Sequence, residues 1–248
     1  MKLLAIGNSF SEDATYYLNG LLNSFGIDIT VVNLYIGGCS LERHWRNIEL
    51  NAKDYMYQLN GVKTDRYVSI EDMLDEGGWD VIVTQQASHD SGWTETYEPF
   101  LGLITDYLRQ RAPKARLYLQ ATWAYEADSP HPNFMRYSRS QAQMFFRVTA
   151  AYRTMAQKYS LGLIPCGELI QALRETDAFR PGGRSICRDG FHMHFLYGRY
   201  ALALMWAKTI FNIDPLACRF VPRTEYLPGE EADGEVLNTV NRAAAKIK

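Results

Sequence analysis

Residues 2–13 read KLLAIGNSFSED, and the change of character between Gly7 and Asn8 decides the fold. Lys2–Gly7 carries no polar side chain after its lysine, as expected of a short strand covered on both faces. The residues that follow, two serines, an asparagine and two acids, have the composition of a helix's first turn. A buried strand running straight into a helix is the opening half of a βαβ unit. Four more apolar runs repeat the pattern: DITVVNLY at 28–35, WDVIVTQQ at 79–86, ARLYLQAT at 115–122 and LGLIPCG at 161–167. Each is followed by a segment with helical periodicity. The alternation predicts an α/β protein: a three-layer α/β/α sandwich around a doubly wound, five-stranded parallel sheet, with any site at the carboxyl ends of the strands.

Apolar residues return every three to four positions over 97–111 and 138–159, and a last helix is predicted over 196–211. One segment departs from the rhythm. In DYMYQLNGVKTDRYVS at 54–69, aromatic and polar residues alternate on both sides of Asn60-Gly61, a strong hairpin signal. It predicts a small β-hairpin inserted between the second and third strands of the sheet. Beyond 213 the chain turns polar and proline-containing, and 230–248 is expected as a surface helix or a frayed tail. No linker-like segment divides the 248 residues, so a single domain is expected over 1–248.

Lys and Arg number 26 against 28 Asp and Glu, a formal charge of -2, so no field of one sign is present to recruit nucleic acid or an anionic membrane surface. Cys39, Cys166, Cys187 and Cys218 are far apart and form no CxxC pair. They read as buried thiols, which excludes zinc-ribbon and thioredoxin-like chemistry. No run approaches the ~18 apolar residues of a membrane span. LLAI at 3–6 is too short for the apolar region of a secretory signal. A cytoplasmic protein is expected, or a secreted or periplasmic one if a leader once preceded Met1.

Ser9 falls at the tip of the turn after the first strand, facing the crevice of such a sheet. Alone, GNSFSED reads as a helix cap: Ser9 or Ser11, followed by Glu12 and Asp13. Near the other end, RDGFHMHF at 188–195 supplies Asp189 and His192 at DxxH spacing, just before the last helix. On a turn, a carboxylate three residues ahead of an imidazole can accept from one ring nitrogen. The other nitrogen is then left to take a proton from a hydroxyl. Alone, this too reads as a polar surface turn. The order of the motifs, each at a strand end or before the last helix, outweighs the separate readings.

Together, GNSF at 7–10, VVNLYIGGCS at 31–40 and DGFH at 189–192 resemble the blocks of the SGNH hydrolases, the GDSL esterase/lipase superfamily, over residues 7 to about 211. More narrowly, GNSFS, GGCSLERH, QQASHDSG and RDGFHMH resemble a bacterial branch of that superfamily catalogued as a domain of unknown function. The resemblance implies an SGNH hydrolase fold with Ser9 as nucleophile and Asp189 and His192 as acid and base. It also implies an oxyanion hole from the N–H groups of Ser9 and Gly38, Gly38 matching better than Gly37. Asn8 stands where the family usually has Asp. The family's third block, GxND, is replaced by TQQASHDSG at 84–92. Gln86 presents an amide on a longer arm there, and Ser88 is the competing alignment. No cofactor and no metal is implied.

His44, His89 and Trp123 fall in segments after strands and are rim candidates for a substrate pocket, a tryptophan there being equally suited to cover the edge of the core. Tyr55, Tyr57 and Tyr67 on the hairpin offer either a platform for a sugar ring or ordinary cross-strand packing. His194 makes an HxH pair with His192, but no further ligands at zinc spacing accompany it. The function expected is a serine ester hydrolase acting on a small-molecule or carbohydrate ester, by preference a carbohydrate O-acetyl or other short-acyl esterase. The alternative is a non-catalytic module on a flavodoxin-like sheet that binds a small molecule or carbohydrate, with GNSFSED holding an anionic group. Oligomeric state has no signature in the sequence.

Overall fold

A computed structural model describes residues 1–180 and 182–248. In chain order the elements are β1 (Lys2–Gly7), α1 (Ser9–Thr15), α2 (Leu18–Asn23), β2 (Thr30–Tyr35), α3 (Leu41–Glu49), β3 (Tyr55–Leu59), β4 (Val62–Val68), α4 (Ile70–Glu76) and β5 (Val81–Thr84). They continue with α5 (Phe100–Arg111), β6 (Arg116–Gln120), α6 (Gln141–Lys158), β7 (Gly162–Ile164), α7 (Cys166–Arg174), α8 (Tyr197–Phe211) and α9 (Gly234–Lys246).

The sheet runs β4-β3-β2-β1-β5-β6-β7. Its parallel part is the five predicted strands, β2-β1-β5-β6-β7. β1 lies inside it, paired with β2 on one side and β5 on the other, and Leu3, Leu4, Ala5 and Ile6 are buried. From β1 the chain steps outward to β2, then returns past β1 to β5. With right-handed crossovers this reversal places helices on both faces and opens a crevice at the carboxyl ends of β1, β2 and β5. On one face α8 packs against α1, α2, α7 and α9; on the other α3 packs against α4 and α5.

The hairpin forms where predicted, but it is no appendage. β3 pairs antiparallel with β2, Val32 opposite Leu59 and Tyr35 opposite Met56, so the sheet has seven strands. Without it β2 would present an unpaired edge. The new outer strand, β4, carries exposed Lys63, Asp65 and Arg66, charges that discourage further pairing. A buried polar ladder ties this extension to α1. Ser11 Oγ donates to Asn33 Oδ1 at 2.7 Å, Asn33 Nδ2 to Gln58 Oε1 at 2.7 Å, and Gln58 Nε2 to Glu12 Oε2 at 3.0 Å. The three hairpin tyrosines form no platform: Tyr55 is buried, Tyr57 lies under the Arg66 guanidinium, and Tyr67 sits opposite Met56.

The C-terminal segment is not frayed. Asp233 caps α9, and Val236, Leu237, Val240 and Ala244 are buried. Tyr200 Oη donates to Asn241 Oδ1 at 2.6 Å, and Lys208 Nζ donates to the carbonyl of Ala244 at 2.9 Å at the end of that helix. All four cysteines are free and buried. No helix of the described residues is long and apolar enough to cross a membrane.

Candidate active site

Ser9 is the first residue of α1, directly beyond β1. The cap is Asn8, not one of the serines: its Oδ1 accepts the Phe10 N–H at 3.0 Å. Asn8 Nδ2 donates to the Cys39 carbonyl at 3.0 Å, and Gln85 Nε2 donates to Asn8 Oδ1 at 2.6 Å. One buried side chain thus joins the loops after β1, β2 and β5. Gln85 had no signal in the sequence.

Ser9, His192 and Asp189 come together. His192 Nε2 lies 2.9 Å from Ser9 Oγ, and His192 Nδ1 lies 2.6 Å from Asp189 Oδ2. Asp189 Oδ1 also accepts the backbone N–H groups of His192 at 2.7 Å and Phe191 at 3.2 Å. Burial pushes the Asp189 carboxyl up, but the hydrogen bonds from the His192 ring and backbone outweigh it and hold the group below its usual range. The carboxylate is therefore ionised at neutral pH. Gly190 makes this turn possible. Its φ is +87°, and a Cβ there would stand 2.9 Å from Ser129 Cα.

Gly38 sits in the loop after β2 with φ +62°. Among the described residues, neither its N–H nor that of Ser9 has an acceptor within the chain. The loop is held from beneath by Asn8 on Cys39 and by Gln86 on Leu41. Gln86 corrects the expectation from the sequence. Its Oε1 accepts the N–H groups of Leu41 at 3.0 Å and Ala87 at 2.8 Å, and its Nε2 donates to the Thr96 carbonyl at 2.8 Å. Buried and bonded at both ends, it is a brace between loops and not a free donor at the nucleophile. The competing Ser88 shares a hydrogen bond of 2.8 Å with the Tyr125 hydroxyl.

Two of the three expected pocket residues are also corrected. His44 is fully buried, its Nδ1 2.9 Å from the Tyr55 hydroxyl and 3.4 Å from Cys39 Sγ. Burial, with a smaller contribution from Arg43, pushes its pKa down to about 3, so it is a neutral core group. Burial likewise pushes the Cys39 thiol up to about 12. Trp123 is fully buried as well, stacked on Phe10 at 4.1 Å, and its Nε1 donates to the Phe191 carbonyl at 2.7 Å. It supports the DGFH turn from below.

His89 alone of the three is partly exposed. Its ring stacks on His131 at 6.1 Å, and His131 meets Phe191 at 4.9 Å, which in turn lies 4.2 Å from the His192 ring. His131 is a rim residue the sequence did not single out. Burial, then the neighbouring His89 and His192, lower its pKa and favour the neutral ring. His194 points into other work, its Nδ1 accepting the Leu196 N–H at 3.3 Å.

A doubly wound sheet with a serine, histidine and aspartate linked at the carboxyl end of its first strand is the fold of the SGNH hydrolases. The match to solved structures agrees. A candidate SGNH hydrolase from Slackia heliotrinireducens superposes with a TM-score of 0.60 at 20% identity, over 85% of this chain and 98% of that one. An acetyl xylan esterase superposes with a TM-score of 0.57 at 15% identity, over 84% and 98%. Residues 2–232 match the family described as Domain of unknown function (DUF4886), and the chain belongs to that family. A DUF4886 family protein from Bacteroides uniformis ATCC 8492 has a TM-score of 0.90 at 34% identity, over 99% of this chain and 93% of that one. None of the curated proteins matches the chain.

Proposed function

We propose that the protein is a serine ester hydrolase working through Ser9, His192 and Asp189. The observation that carries this reading is the pair of contacts on one imidazole, 2.9 Å to Ser9 Oγ and 2.6 Å to Asp189 Oδ2. Neutral His192 takes the Ser9 proton as Oγ attacks the ester carbonyl, and Asp189 stabilises the imidazolium that forms. The N–H groups of Ser9 and Gly38, free of internal acceptors, stabilise the oxyanion. The alcohol leaves with the proton held on His192, and water then attacks the acyl-enzyme with His192 again as base. No step calls on a metal or cofactor.

For the substrate we favour a short acyl group, by preference acetyl, on a carbohydrate hydroxyl. Two imidazoles, His89 and His131, and the flat face of Phe191 rim Ser9, His192 and Asp189, which suits a sugar ring better than a long acyl chain. Structural neighbours that include an acetyl xylan esterase lend this support at the level of the fold. Hydrolysis of p-nitrophenyl acetate by the wild type, beside Ser9→Ala and His192→Ala, tests the chemistry. Each variant should lose at least ~10³-fold in kcat. Acetate release from acetylated xylo-oligosaccharides against hydrolysis of p-nitrophenyl palmitate tests the substrate class, and preference for the long chain would overturn it.

A further inference from the structure

The hydrolase reading leaves Asp13 without a task, although it is a fully buried acidic side chain. It stands four residues after Ser9 in α1, one helical turn on and on the same face. Its Oδ1 accepts from Arg188 Nη1 at 3.0 Å and from Arg199 Nε at 2.8 Å. Its Oδ2 accepts from Arg188 Nη1 at 3.1 Å and from the Met193 backbone N–H at 2.9 Å. Arg188 Nη1 also donates to the Met193 carbonyl, and the Arg188 backbone N–H donates to the His192 carbonyl at 2.9 Å.

These bonds bracket the catalytic histidine. The carbonyl of His192 is held by Arg188, its N–H by Asp189, and both backbone groups of the next residue, Met193, by the Asp13–Arg188 pair. One face of α1 thus addresses two consecutive residues of the DGFHM turn: Ser9 meets the His192 ring and Asp13 holds Met193. We propose that Asp13, acting with Arg188, is a positioning residue that sets the His192 imidazole at hydrogen-bonding distance from Ser9. This inference rests on the hydrolase reading for its kinetic consequence, but its geometric consequence stands apart from it. Arg199, from α8, is the second counter-charge on Asp13 and fixes α1 to the helix that follows the turn.

The test uses the full chain and four proteins: wild type, Ser9→Ala, Asp13→Asn and Arg188→Ala, each checked for a cooperative melt. In folded Asp13→Asn, kcat for p-nitrophenyl acetate should fall about 100-fold while KM stays within threefold. Arg188→Ala should fall similarly and recover about tenfold on adding guanidinium. NMR supplies a readout free of activity. The His192 Nδ1 proton held by Asp189 should be a slowly exchanging downfield signal in the wild type and broaden in both variants. If Ser9→Ala retains esterase activity, the hydrolase reading fails while the NMR signal still judges the positioning role. If either variant folds with the signal and kcat of the wild type, or loses kcat only in proportion to its unfolded fraction, the proposal is overturned. If Asp13→Asn does not fold, the guanidinium recovery and NMR signal of Arg188→Ala decide.

Discussion

Asn8 stands where the resemblance in the sequence implies an aspartate, and here the asparagine has a bond that an aspartate has no hydrogen to make. Its Nδ2 donates to the Cys39 carbonyl at the base of the Gly38 loop. Asn8→Asp keeps the cap on Phe10 and the bond from Gln85. It sets a buried carboxylate against that carbonyl, costing about 1–3 kcal/mol of stability and displacing a proposed oxyanion donor. Urea denaturation and kcat together check this, and a variant equal to wild type in both would refute it. His44 supplies a pH dependence. The folded chain keeps it neutral down to about 3, whereas the unfolded chain takes up a proton near the ordinary 6.5. Between those values the folded state binds fewer protons. Stability is therefore full above about 6.5 and falls as the pH drops toward 3, by up to ~1.4 kcal/mol per pH unit. His44→Gln should flatten the stability curve between pH 6 and 4 relative to wild type; parallel curves would exclude the effect.

At the scale of elements, the loops after β1, β2 and β5 behave as one unit because buried amides join them. Gln86→Ala removes bonds to Leu41, Ala87 and Thr96 and leaves their backbone groups unpartnered. It should cost about 1–3 kcal/mol in urea denaturation, in addition to any fall in kcat. A loss of activity with unchanged stability would instead restore Gln86 to the oxyanion hole. The C-terminal helix makes a separate prediction. Leu237 is 6% exposed against the body of the protein, so Leu237→Ala should cost about 2–5 kcal/mol and leave kcat unchanged where the chain is folded. A frayed tail would give a change close to zero.

Across the whole molecule, what was legible in the sequence was what local pattern encodes. The five parallel strands followed from short apolar runs, the hairpin from Asn60-Gly61, and the closeness of Ser9, His192 and Asp189 from two motifs at strand or helix boundaries. What was not legible depended on partners distant in the chain. That His44 and Trp123 are buried could not be read from their place after strands, because the segments beyond a strand, helix α3 for His44 and a loop for Trp123, have one side to the crevice and another to the core. The pairing of β3 with β2 needed the open edge that only the assembled sheet defines. Asp13 looked like any acid in a first turn, since its partners Arg188 and Met193 lie at |i−j| of 175 and 180. The proposed activation of Ser9 by His192 is read by labelling with a fluorophosphonate, followed by peptide mapping by mass spectrometry. The adduct should form on Ser9 in the wild type and be lost or strongly slowed in His192→Ala. No adduct on Ser9, or equal labelling of both proteins, would refute the nucleophile's role.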